Sequence, residues 1–166
     1  MQIAFDDGRF SEPAVVETPD LLAAADLDRD GHLEVFVANE GNTARAGGIM
    51  QLQGCSLRRV VDGTGQPFLY VYYGTGLGCA PACYPSVECQ GSSAGLELVV
   101  TGAERANIDT VVPTVPPLTD DLLYAWRRER FRLQGSAMTS ISREQGTARH
   151  AELPVPKRQG FNCAAS

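Results

Sequence analysis

The stretch AAADLDRDGHLEVFVANEG, residues 23–41, places Asp26, Asp28 and Asp30 at every second position, follows them with Gly31, and runs straight into a β-branched apolar strand. Three carboxylates so close together repel one another, so either water solvates the loop or a cation offsets the repulsion. With Asp26 as loop position 1, carboxylates stand at positions 1, 3, 5 and 9, the last being Glu34, and Gly31 stands at 6. Alternate side chains of a tight loop turn onto one point, Gly31 permits the sharp turn, and His32 can offer its backbone carbonyl. The expected ligands are therefore Asp26, Asp28, Asp30, His32 through its carbonyl, and Glu34. An oxygen-only, anionic, flexible set suits Ca²⁺, whereas Mg²⁺ demands a stricter octahedron and zinc wants the nitrogen or sulfur ligands missing here. An EF-hand would put a bidentate Glu at position 12, where this chain has Val37. In HLEVFVA, alternation sets Leu33, Val35 and Val37 on one face, the expected core face, with Glu34 and Phe36 on the other.

The rest of the chain frames that loop. At 166 residues with 43% hydrophobic and 20% charged residues, it has enough apolar material for one domain with a core. A net charge of -6 opposes non-specific nucleic-acid binding, which needs a basic footprint, and is compatible with cations. No apolar run reaches the ~20 residues of a membrane span. The start, MQIAFDDGRF, lacks the charged and apolar regions of a signal peptide. HLEVFVA, GIMQLQG, PFLYVYYG, GLELVVTG and RFRLQGSAM are rich in strand formers and bounded by turn residues, so the expected class is all-β. LTDDLLYAWRRERF is open to two readings: a helix capped by Thr119 with Asp120 and Asp121 in its first turn, or a strand from Tyr124 through Leu133. NIDTVVPTVPPLTDD reads as a Pro-rich surface connection.

Two short matches recur in the same order. An L-E-apolar-apolar segment (Leu33 to Phe36; Leu96 to Val99) is followed by an L-Q-G-small-small-apolar segment (Leu52 to Leu57; Leu133 to Met138). The order implies two copies of one multi-stranded unit.

FDDGRFSEPAVVETPDLLAAADLDRDGHLEVFVAN resembles the FG-GAP (VCBS) repeat, the calcium-loop blade of integrin-α-type β-propellers, through Asp7, Gly8, Arg9, Phe10 and Pro13, then AAADLDRDG, then HLEVFVAN. The resemblance implies a four-stranded antiparallel blade whose acidic loop joins two strands and holds Ca²⁺ through Asp26, Asp28, Asp30, the His32 carbonyl and Glu34. It implies two blade-like antiparallel β units of β-propeller type within a single β domain, 1–166. The first unit, with the calcium loop, covers 4–66. The second, degenerate unit covers 67–153, with GCAPACYPSVECQGSSAG where the acidic loop would stand, and 154–166 is a tail. A propeller closes with typically four to eight blades, so two units make an incomplete one.

Five cysteines, three of them in GCAPACYPSVEC, lack the spacing and the histidines of a zinc site and read as a disulfide-tied loop in an oxidising compartment. The resemblance suggests that Cys55 pairs with Cys79. The short separation of Cys83 and Cys89 suggests the second pair, which leaves Cys163 free. The chain carries no GxSxG, P-loop, HExxH or GxGxxG motif, and His150 has no recognisable nucleophile partner. The expectation is a non-catalytic calcium-binding module, secreted or on a cell surface, for display, adhesion or binding a protein partner or its own copies. The alternative is a secreted carbohydrate-binding or hydrolase-associated domain that uses Trp126 with Tyr124.

Overall fold

The computed structural model describes residues 20–40, 44–74, 83–93, 95–106 and 121–163. The DGRF motif, Cys79, most of the Pro-rich connection, and Thr119 with Asp120 lie outside the described residues. The described residues form eleven strands: β1 (Asp20–Ala25), β2 (Glu34–Glu40), β3 (Ala44–Gln53), β4 (Ser56–Arg59), β5 (Val61–Asp62), β6 (Leu69–Gly74), β7 (Ser86–Ser92), β8 (Gly95–Arg105), β9 (Leu123–Gln134), β10 (Ala137–Arg149) and β11 (Gly160–Asn162). The fold is all-β, as expected. Of the two readings of LTDDLLYAWRRERF, the strand is correct. β9 pairs with β8 on one side and with β10 along its whole length on the other.

Two sheets form. The first has five strands, β1-β2-β3-β4 antiparallel in chain order, with β6 on β3. The second has six, in the order β11-β7-β8-β9-β10-β5. Its middle, β7 to β10, is antiparallel in chain order, while β11 and β5 add in parallel at the two edges. The boundary expected at 66/67 does not separate the sheets. β5 precedes it yet joins the second sheet, β6 follows it yet joins the first, and β11, from the expected tail, is a strand of the second sheet.

Both L-Q-G segments end the third strand of a four-stranded meander and turn into the fourth. Gln53 pairs with Ser56, and Gln134 with Ala137, so each turn has two central residues. The first is glycine at positive φ, 62° at Gly54 and 60° at Gly135. Among the described residues only Arg29 is a non-glycine at positive φ, so Cys55 and Ser136 are not. Glycine alone at positive φ in the first central position is the type II′ hairpin, whose twist suits the flanking strands. The L-E segments open the second strand of each meander. Their registers against the third strand agree: Val35 faces Met50, and Leu98 faces Phe131.

The main core lies between the sheets. Phe36, Ala38 and Ile49 from the first meet Val87, Leu98 and Leu133 from the second. Phe68 and Phe131 pack edge to face at 4.9 Å, and Phe161 of β11 sits 5.1 Å from Phe36 and 5.8 Å from Tyr70. This corrects the expected face of β2. Phe36 and Glu34 are fully buried on the inter-sheet side. Val35 and Val37 are buried in a separate cluster with Met50 and Leu57, and Leu33 is 53% exposed. Alternation failed to choose because both faces of β2 are covered, and the bulkiest side chain took the main core.

The cysteines also differ from expectation. Cys89 bonds to Cys163, and Cys55 is an exposed free thiol at the β3–β4 turn. Cys83 is disulfide-bonded, but to neither Cys89 nor Cys55. The physical reason is the parallel pairing of β11 with β7, which sets Phe161 beside Val87 and draws the tail onto the sheet. Separation along the chain could not show that pairing.

Candidate metal centre

β1 and β2 are antiparallel neighbours with Ala25 opposite Glu34, so residues 26–33 are the loop that joins them. Arg29 (φ 63°) and Gly31 (φ 88°) bend the loop back on itself. Asp26 holds the bend: its Oδ1 accepts the Asp30 N–H and its Oδ2 the Gly31 N–H, each at 3.1 Å. Asp30 Oδ1 accepts the His32 N–H at 2.8 Å. Glu34, the first residue of β2, reaches back so that its Oε2 accepts the Leu27 N–H at 2.8 Å.

Carboxylate oxygens of Asp26, Asp28 and Glu34 lie within 4.8 Å of one another. Two oxygens bound at 2.3–2.6 Å on opposite sides of one Ca²⁺ stand about 5 Å apart, so this spread fits a single such ion. The remaining expected ligands stand differently. Asp30 stands outside that group of three, though its charge bears on Asp28 and Glu34, and its Oδ1 accepts the His32 N–H. His32 is exposed and joins the loop through its N–H.

Electrostatics mark the site as short of positive charge. Burial pushes the Glu34 carboxyl up to about 7. The Leu27 N–H opposes that shift, and the charges of Asp28, Asp30 and Asp26 add to it. Burial and the Asp30 charge also raise Asp28. Asp28 Oδ1 and Glu34 Oε1 are buried with no hydrogen-bond partner. Buried oxygens that carry negative charge and lack donors are costly, and a cation supplies what they lack. All the donors are hard oxygens, so the residues present fit Ca²⁺ rather than a softer metal. Bound there, the ion would supply positive charge and coordination to Asp26, Asp28 and Glu34.

Sequence reasoning missed what stands against this loop. The Leu96 N–H of β8 donates to the Leu27 carbonyl at 2.9 Å, and Gly95 lies so close that a Cβ there would run into that same oxygen. Nothing in SSAGLE marks this contact, which depends on how the sheets meet.

The other singled-out residues find structural roles. Tyr124 is fully buried, with its ring 5.9 Å from Tyr84 and 5.7 Å from His150, so it offers no platform beside Trp126. The His150 Nε2 lies 2.9 Å from the Tyr84 hydroxyl. In RRERFR, Arg132 and Arg130 pair with Glu97 at 2.8 and 3.5 Å, and Arg128 with Glu144 at 3.7 Å. Among the described residues no helix is long and apolar enough to cross a membrane. No protein-family model, curated protein or solved structure matches this chain.

Proposed function

We propose that the chain is a non-catalytic, calcium-binding β module in which Asp26, Asp28 and Glu34 hold the ion, Asp30 adds charge beside it, and the His32 carbonyl completes the set. The observation that carries this reading is the pair of buried oxygens without a hydrogen-bond partner, Asp28 Oδ1 and Glu34 Oε1, on two residues whose carboxylates come within 4.8 Å of each other at the β1–β2 loop. The two meanders with their matched turns and registers support a duplicated, blade-like unit of the FG-GAP kind. The disulfide supports an oxidising, extracellular setting for display, adhesion or protein–protein contact. The role of the metal is structural, because the loop opens directly into β2, whose two faces are both buried. The test is thermal melting in EDTA and in millimolar Ca²⁺. The midpoint rises with Ca²⁺ in the native chain and stays put in a variant with Asp26, Asp28 and Asp30 all changed to Ala. An equal rise in both, or none in either, overturns the reading.

A further inference from the structure

Leu27 sits inside the acidic loop but belongs to the core between the sheets, with no exposed surface. Its N–H is held by Glu34 Oε2 from its own sheet, and its carbonyl is held by the Leu96 N–H from the other. One residue thus links a proposed ligand carboxylate to the start of β8. Gly95 makes the approach possible. Its φ is +121°, and an added Cβ would run into the Leu27 carbonyl oxygen and come to 3.4 Å from the Asp28 Cα. An L side chain is strained at that φ and has no room there.

We infer that Gly95, which offers no ligand atom, is a positioning residue for the cation site, and that ion binding and the docking of the second sheet on the β1–β2 loop are coupled through Leu27. This rests on the calcium reading of the loop. A cation that fixes Glu34 fixes the acceptor of the Leu27 N–H, which orients the Leu27 carbonyl towards Leu96. By reciprocity, the docked β8 end pre-forms the loop and raises cation affinity by the same factor.

Two measurements on the full chain test the coupling. Hydrogen exchange in EDTA and in saturating Ca²⁺ compares the Leu96 amide with amides in the middle of β10. Protection at Leu96 increases at least tenfold more than at β10. Calorimetric titration with Ca²⁺ then compares the native chain with Gly95→Ala and with Gly102→Ala, a change on the same strand whose Cβ meets nothing closer than Arg127 Nε at 3.5 Å. Gly95→Ala weakens binding at least tenfold, and Gly102→Ala leaves it unchanged. If Gly95→Ala does not fold, the exchange experiment decides alone. Should Ca²⁺ protect the Asp30 and Gly31 amides but leave Leu96 no better protected than β10, or should Gly95→Ala titrate like the native chain, the coupling is wrong while the site stands. Should Ca²⁺ change neither exchange nor heat, the site itself is wrong.

Discussion

Glu34 and Glu97 hold the same place in the two meanders, second in the L-E segment, and both are buried. Their surroundings differ in sign. Opposite Glu97 stands Arg132, with Arg130 beside it, and the Arg132 hydrogen bond and charge hold the Glu97 carboxyl below its usual range. At the place in β3 that matches Arg132 stands Gln51, buried and accepting from Gln53 Nε2. Gln51 brings no charge, while Asp26, Asp28 and Asp30 add three negative ones. The second sheet therefore carries its counter-cation in the chain, and on the proposed calcium reading the first takes one from solution. The difference teaches that a buried carboxylate specifies a need for positive charge but not its source.

The largest effect should come from the covalent tie. Replacing Cys89 and Cys163 with Ser opens a loop of 74 residues. Such a loss costs about 4 kcal/mol by loop-closure entropy. Denaturant midpoints should show that loss equally in EDTA and in Ca²⁺, which separates the tie from the metal. Next is Glu34→Gln. In Ca²⁺ at a hundredfold excess over Kd, the native chain gains about 2.7 kcal/mol, and the variant loses that gain. In EDTA the order reverses, because Gln removes a buried charge that has no counter-charge beside it. Melting curves that fail to cross between the two conditions would break the comparison.

The two glutamates should also respond to pH with opposite signs. The folded-state value of Glu34, about 7, is above its ordinary 4.5. Its contribution in EDTA is thus fully present below 4.5 and is lost as pH rises towards 7, by on the order of 2 kcal/mol. Saturating Ca²⁺ should flatten that slope. Glu97 is lowered, so its contribution is present above 4.5 and falls away below it. Urea midpoints from pH 3 to 8, with and without Ca²⁺, read both windows.

Arg132→Met should cost about 2 kcal/mol, less than the roughly 3–5 of a fully buried broken pair, because Arg130 remains and the guanidinium is partly exposed. No dependence on Ca²⁺ is expected there. The smallest change is the most specific. Gln51→Arg, which copies the second sheet's solution into the first, should raise the EDTA midpoint by about 1 kcal/mol equivalent and shrink the Ca²⁺ increment. An undiminished increment would mean that the two places are not equivalent.

How far these contrasts could be read in the letters differs by feature. The strands were legible because turn residues bound apolar runs, and L-Q-G stood out because a two-residue turn with positive φ at its first position selects glycine. The acidic cluster was legible because its spacing is local. The face of β2 was not, since a strand buried on both sides has no polar face to read. The Cys89–Cys163 bond was hidden because a three-residue parallel strand, β11, decides it. The contact of Gly95 with Leu27 was hidden for the same reason: it exists only once two distant segments meet.

The path of the chain between the sheets carries a consequence for the order of assembly. After four strands of the first sheet, β5 pairs with β10, more than seventy residues downstream, before β6 returns to β3. The aromatic surface of Phe36, Tyr70 and Tyr72 then waits for Phe161. Such long-range closures are slow to search, and the early half cannot cover its own apolar surface while it waits. A nascent chain stopped before Gly160 should therefore present a sticky, half-built sheet. Productive folding belongs to the chain that already carries β11, with the first sheet and the second condensing together rather than in turn.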